Sequence, residues 1–270
     1  MTVATIDKVD GTIAPAVAGR SISVIVTAMN EEGNLSPTLE SVVSTVAPRF
    51  ARYEIIVVDD GSRDRTADIA ASLAAENPRI RVHRNRRNLG LGRSYQTGID
   101  LAVHEYTSWV AGNNLVPQEA LARIYDRVGE RDMVISYILR DVRGFRRRTM
   151  SRAFTILMNL LFSVRMRYYT GPCVYKSGVA KQFIMRANGS LFGAELLVRL
   201  LRAGQTYVEV GLQPLPRSSG STKTFRLKNV IDVLISVMRL FWELRVRRAL
   251  APPARPDVHA SDDDRAVQSR

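Results

Sequence analysis

Buried-strand and amphipathic-helix patterns alternate along the first 140 residues of the chain. SISVIVTAMN (21–30) reads as a buried strand ending in a polar loop, and EEGNLSPTLESVVSTV behind it has helical periodicity. YEIIVVDDGS (53–62) is a second apolar, β-branched run bounded by Gly and Ser, followed by the helical RDRTADIAASLAAEN. IRVHRN predicts a third strand, and GLGRSYQTGIDLAV a helix that starts behind glycines. YTSWVAGNN predicts a fourth strand, VPQEALARIYDRV a helix with Pro117 near its start, and RDMVISYIL a fifth strand. This alternation predicts an α/β fold with a mainly parallel sheet covered by helices. Ligands of such sheets bind outside the carboxyl ends of the strands.

Beyond residue 140 the pattern changes. The arginine-rich RDVRGFRRRTMSR is followed by AFTILMNLLFSV (153–164), apolar nearly all round. RMRYYTGPCVYKSG, the helix-like GAELLVRLLRAG, the strand-like YVEVGLQPLP and the loop RSSGSTK come next. NVIDVLISVMRLFWELRVRR (229–248) predicts a long helix, on which Asp232, Ser236, Arg239 and Glu243 form one narrow polar stripe. Residues 1–20 lack the apolar core of a signal peptide and read as a flexible leader. Residues 251–270, rich in Pro, Ala and Asp, read as a disordered tail. No uninterrupted apolar run reaches the length of a membrane span, so the expectation is a protein that is soluble or rests on a membrane surface.

Composition narrows the partners. The chain has 270 residues, 46% of them hydrophobic, enough for one sizeable core. A net charge of +13 favours polyanions: nucleic acid, phosphorylated substrates or an acidic membrane surface. The basic residues cluster beside apolar helices and are not interleaved with aromatic stacking residues, which argues against nucleic acid. The single cysteine, Cys173, rules out an intrachain disulfide and reads as a packed core residue.

Candidate chemistry sits at the strand ends. Glu31 and Asp59 would project there, and a carboxylate accepts hydrogen bonds from a base N–H or a ribose hydroxyl. Asp60, Gly61 and Ser62 make a tight turn; the plainer reading is that Asp60, Ser62 and Asp64 cap the next helix. Asn88, Gly90 and Gly92 allow close backbone approach, and Arg93 lies near a helix N-terminus, which favours anions.

Together, NEE, VVDDGSRDRT, NLGLGRSYQTG and RSSGSTK resemble glycosyltransferase family 2, and within it the polyprenol-phosphate sugar synthases, the group that includes dolichol-phosphate mannose synthase. The resemblance covers roughly residues 21–225 and implies the nucleotide-sugar-binding GT-A fold; beyond it, the wide apolar face and terminal arginines of residues 226–250 read as an amphipathic interfacial helix. It implies that Glu31 and Asp59 contact the nucleoside in a pocket with Thr27, Ala28, Asn30, Asp60 and Arg93. It also implies that Arg217 and Lys223 contact phosphates.

One stretch departs from the family. Where an acidic motif usually holds Mg²⁺ or Mn²⁺ on the donor diphosphate, this chain has Asn113 and Asn114 in AGNNL. A carboxamide oxygen can ligate a hard cation but brings no charge. Two explanations fit: fixed cations replace the metal, or the protein binds without turnover. Arginines at 140–152 suit an anionic lipid acceptor, with Arg146, Arg147, Arg148 and Arg152 on its phosphate and residues 153–164 along its chain. A solvated charged face and a core helix are the plainer readings. An ionised phosphate acceptor needs no base, whereas a sugar hydroxyl does. Glu195 is the base candidate by position, with pairing to an arginine as its alternative. Tyr168 and Tyr169 stand where the family often has an acidic residue. The expectation is an inverting transferase from a UDP- or GDP-sugar to a polyprenyl phosphate. It would be cytoplasmic, peripheral on the inner face of the plasma membrane. A non-catalytic binder and a transferase to a hydroxyl acceptor are the alternatives.

Overall fold

The computed structural model describes residues 17, 19–139, 141, 144–187, 191–213 and 227–246. Within these, β1 (Ser21–Ala28), α1 (Leu35–Val46), β2 (Arg52–Asp59), α2 (Thr66–Glu76) and β3 (Ile80–Arg84) alternate as the sequence predicts. The alternation continues through α3 (Leu91–Leu101), β4 (Tyr106–Ala111), α4 (Gln118–Tyr125) and β5 (Met133–Ile138). The second part comprises α5 (Phe145–Phe162), β6 (Cys173–Lys176), α6 (Ser177–Ala180), α7 (Phe192–Arg202), β7 (Tyr207–Leu212) and α8 (Leu227–Phe241).

All seven strands join one sheet in the order β3-β2-β1-β4-β6-β5-β7. Its pairs are parallel except those of β6, which runs antiparallel to both β4 and β5. β6 lies in RMRYYTGPCVYKSG, for which the pattern reading names no element; four residues are too short to show a period. Every residue of β1 is buried, because successive side chains enter cores on opposite faces. Ile25, Ile56 and Val58 join Tyr95, Ile99, Met158, Phe162 and Leu197 beneath α3, α5, α7 and α8. Val24, Val26 and Val57 join Leu35, Leu39, Leu121 and Ile124 beneath α1 and α4. Burying each such side chain contributes about 1.5–3 kcal/mol. Gly98 lets α3 lie against β1, since a Cβ there would stand 2.3 Å from Ile25 Cγ2.

Two helices show more than the pattern predicts. The arginine-rich segment and the apolar stretch 153–164 share one helix, α5, which ends at Phe162 on the left-handed Ser163. Only Met158 and Phe162 of it are fully buried, while Phe145, Ile156 and Leu160 are exposed. On the C-terminal helix Ser236, Arg239 and Glu243 of the expected polar stripe line one small cavity with Glu195, and the apolar remainder divides in two. α8 continues into a π-turn, Trp242–Val246. One side buries Val237, Leu240 and Leu244 in the core, and another exposes Leu234, Ile235, Met238 and Trp242. Glu243, expected in the polar stripe, turns inward to a buried arginine, Arg199. Among the described residues no helix is long and apolar enough to cross a membrane. The tail, the RSSGSTK loop and residues 1–16 and 18 of the leader lie outside the described residues, while the end of the leader is held rather than flexible: Val17 is buried in the core and Arg20 pairs with Glu105 at 2.8 Å.

Candidate active site

Parallel pairing sets Ala28 beside Asp59, so the loops that leave β1 and β2 run side by side. They are laced together in both directions. The amides of Asn30, Glu31 and Glu32 donate to Ser62 Oγ (2.9 Å), Thr66 Oγ1 (2.8 Å) and Asp64 Oδ2 (3.2 Å). In return, the amides of Arg63 and Arg65 donate to Asn30 Oδ1 (2.9 Å) and Glu32 Oε2 (3.1 Å). Asn30 adopts a left-handed φ of 54°, which asparagine tolerates. Asp64 also accepts from the amide and hydroxyl of Thr66 at the start of α2. Partial burial opposes its charge, but the bonds from Thr66 and Glu32 outweigh that and hold its pKa below the usual carboxylate value.

The two adjacent aspartates divide the work. Asp60 accepts from Asn85 Nδ2 (2.9 Å), the Leu89 amide (2.8 Å) and the Gly90 amide (2.9 Å), so it anchors the third loop. Capping of α2 is therefore not its role, and both its oxygens are taken by the protein. Gly61 makes this closeness possible: its φ is +73°, and a Cβ would lie 2.6 Å from the Arg87 carbonyl carbon. Asp59 is 0% exposed. Its Oδ1 takes the amide and hydroxyl of Ser62. Its Oδ2 lies 3.2 Å from Arg84 Nε but has no aligned hydrogen bond among the described residues.

Other expected residues surround this corner. Glu31 is half-buried and accepts from Asn34 Nδ2 at 2.7 Å. Thr27 is buried, its hydroxyl accepting from Trp109 Nε1 at 3.0 Å, and the Ala28 carbonyl accepts from the Asp60 amide at 2.9 Å. Trp109 packs edge-on against Phe192, centroids 5.1 Å apart, and Tyr95 contacts both rings. This aromatic wall joins elements distant in sequence, so no local pattern announces it. Arg93 is exposed in the first turn of α3.

At the end of β4 the Gly112 amide donates to the Thr27 carbonyl at 2.9 Å, which puts Asn113 and Asn114 beside the β1 loop. Both are half-buried, Asn114 with φ 51°. Among the described residues neither carboxamide has a hydrogen-bond partner, and no group of three or more His, Cys, Asp or Glu forms a metal-binding cluster. A carboxamide oxygen brings no negative charge to a hard divalent cation, so Asn113 and Asn114 by themselves would hold one weakly.

The acceptor-side candidates stand on elements of their own. Arg146 and Arg152 are exposed, and Arg147 and Arg148 half-buried, in the first turns of α5. Arg217 and Lys223 lie outside the described residues. Glu195 is buried and accepts from Arg199 Nη2 at 2.8 Å and from the amides of Arg186 and Ala187, so arginine pairing is the role it has. The Tyr169 hydroxyl donates to Asn159 Oδ1 at 2.8 Å and is buried in the core, while Tyr168 is half-buried. Burial pushes the Cys173 thiol up to about 12, in keeping with a packed and unreactive residue.

A sequence profile, Glycosyl transferase family 2, matches residues 23–192. The chain belongs to glycosyltransferase family 2. Glycosyltransferase AglD of Haloferax volcanii is 28% identical over 248 residues, covering 87% of this chain and 39% of AglD. Undecaprenyl-phosphate 4-deoxy-4-formamido-L-arabinose transferase of Edwardsiella ictaluri is 26% identical over 224 residues, 80% of this chain and 66% of that relative. The chain thus spans well under half of AglD's length and about two thirds of the second family member's. Among solved structures, glucosyl-3-phosphoglycerate synthase of Mycobacterium tuberculosis, in complex with Mn²⁺, UDP and phosphoglyceric acid, superposes with a TM-score of 0.69. It is 19% identical, and the match covers 88% of this chain and 85% of that one. The sheet and its flanking helices are those of the family's GT-A fold.

Proposed function

We propose that this family member transfers a sugar, with inversion, from a UDP- or GDP-sugar to a polyprenyl phosphate at a membrane surface, with residues 21–225 as the transferring domain. The observation that carries the reading is the build of α5. Arg146, Arg147, Arg148 and Arg152 occupy its first turns, and the same helix then exposes Ile156 and Leu160. A lipid phosphate presents charge and apolar chain in that order. The Edwardsiella relative, an undecaprenyl-phosphate sugar transferase by name, supports the acceptor class. α8 adds exposed Leu234, Ile235, Met238 and Trp242 with the exposed Arg239, a combination suited to an anionic membrane. The reading puts the protein on the cytoplasmic, inner face of the plasma membrane.

In this scheme Glu31 and Asp59, beside Thr27, Ala28 and Asn30, hold the nucleoside, and Arg93, Arg217 and Lys223 face the diphosphate. A phosphate monoester with a second pKa of about 6 is ionised at neutral pH, so its oxygen attacks the anomeric carbon without a general base. The bond to that oxygen forms as the bond to the diphosphate breaks, and the electron pair leaves with the nucleoside diphosphate. Guanidinium and ammonium groups and the carboxamide N–H groups of Asn113 and Asn114 stabilise the departing charge. Because Glu195 is committed to Arg199, a phosphate acceptor is favoured over a hydroxyl acceptor.

The neutral Asn113–Asn114 pair favours one second reading, a nucleotide-sugar binder without turnover. Purified protein screened with UDP- and GDP-sugars, with and without polyprenyl phosphate in vesicles, separates the two. Nucleoside diphosphate release that requires the lipid supports transfer. Binding without release supports the second reading, and release only with a sugar hydroxyl acceptor refutes the lipid phosphate.

A further inference from the structure

Asp59 and Arg84 are Cα partners across β2 and β3, so their side chains leave the sheet on the same face. The two oxygens of Asp59 are treated differently. Oδ1 is saturated by Ser62, while Oδ2 is buried with no hydrogen-bond donor aligned to it among the described residues. A carboxylate in that state needs a counter-charge. Arg84 supplies one loosely: its Nε stands 3.2 Å from Oδ2, and its Nη2 donates to the Ser62 carbonyl at a long 3.3 Å. The Arg84 side chain is itself 58% exposed.

We propose that Arg84 is a gate on the nucleoside pocket: in the free protein its guanidinium stands where a ligand's donor group would reach Asp59 Oδ2, and nucleoside entry displaces it. The inference rests on the reading of Asp59 as a nucleoside contact and adds what guards that contact. Three features support it. Oδ2 is the one Asp59 oxygen left for a ligand. The group lying on it is largely in solvent, where an ion pair contributes little and moves readily. The group that replaces Arg84 must carry an N–H or O–H donor and no negative charge, because an anion would be repelled. A nucleobase or a ribose hydroxyl meets that requirement, and a phosphate does not.

A gate lowers apparent affinity by the fraction of time it is shut. The test is calorimetry on the full chain with uridine, guanosine, UDP and GDP, comparing wild type with Arg84→Ala. The variant should bind its preferred nucleotide about three- to tenfold tighter, by the same factor for nucleoside and nucleoside diphosphate. With Asp59→Asn as background, Arg84→Ala should change nothing, because the gate acts only through Oδ2. Arg84→Gln, which keeps most of the length and removes the charge, carries the same expectations should the alanine variant not fold. If wild type binds and the Arg84 variants bind equally well or more weakly, Arg84 is not a gate and the inference is overturned alone. If wild type binds none of the four probes, the nucleotide reading of Asp59 falls, and the gate falls with it.

Discussion

Asp60 holds the Gly90 amide at 2.9 Å across a sequence distance of 30 residues, and so fixes the loop from which α3 starts. The same carboxylate takes the Leu89 amide and the Asn85 carboxamide. The position of Arg93, one turn further on, therefore depends on a buried aspartate that need not touch a ligand itself.

Asp60→Ala should leave buried donors unpaired and cost about 2–4 kcal/mol of stability, from about 1–3 kcal/mol for each buried group left without a partner. Asp60→Asn should cost less, since one oxygen remains to accept. Urea unfolding reads the stability, and hydrogen exchange should show residues 85–90 losing protection before the strands do. Unchanged protection there would mean that the loop is held by other contacts.

Donor binding by the wild type should survive EDTA and fall steeply with added salt, because arginine and lysine contacts to phosphate are screened. Asn113→Asp adds the missing negative charge and should increase the response to Mn²⁺. Turnover abolished by EDTA and restored by Mn²⁺ in the wild type would show that a divalent ion is bound after all.

The two sides of α8 should respond in opposite ways. Met238→Glu or Trp242→Glu changes exposed positions, so stability should stay within about 0.5 kcal/mol while binding to phosphatidylglycerol vesicles drops. Arg199→Met should instead cost about 3–5 kcal/mol, since it leaves Glu195 charged and buried without its arginine. Flotation and thermal unfolding on the same variants distinguish membrane contact from core packing. Vesicle binding unaffected by either glutamate would remove α8 from the interface. Deleting the helix is the poorer experiment, because Val237, Leu240 and Leu244 belong to the core.

Asp132 gives a pH signature. Hydrogen bonds from the Thr206 hydroxyl and amide, then from Lys176, hold its pKa down at about 2. A carboxylate depressed in the folded state stabilises the protein fully above its unfolded pKa, near 4, and loses that contribution as pH falls through about 2. The contribution is on the order of 1–2 kcal/mol. Unfolding of Asp132→Asn should therefore show a weaker loss of stability between pH 4 and pH 2 than the wild type does.

The strands that carry Glu31, Asp59 and Asp60 to one corner were legible because β1 and β2 are unbroken apolar runs whose polar ends coincide with their carboxyl ends. The arginine partner of Glu195 lies one helical turn away and was within reach of local pattern. Asp59 and Asp60 were legible as a pair but not as two roles, since their partners come from β3 and the loop beyond it. Arg84 was invisible for the same reason: its meaning depends on the register between β2 and β3. The inward turn of Glu243 depends on how α8 meets α7, which periodicity alone does not specify.

The antiparallel β6 has a consequence for synthesis on the ribosome. β1 to β4 follow one another closely and are neighbours in the sheet, so they can pair as they emerge. β5 is complete at Ile138, but its partners β6 and β7 begin at Cys173 and Tyr207. At about 5–20 residues per second, MVISYI waits roughly 2–7 s for its first neighbour. During that interval it is an apolar strand with two open edges, the form most prone to wrong pairing. Nascent chains halted between β5 and β6 should therefore aggregate more readily than chains released after β7.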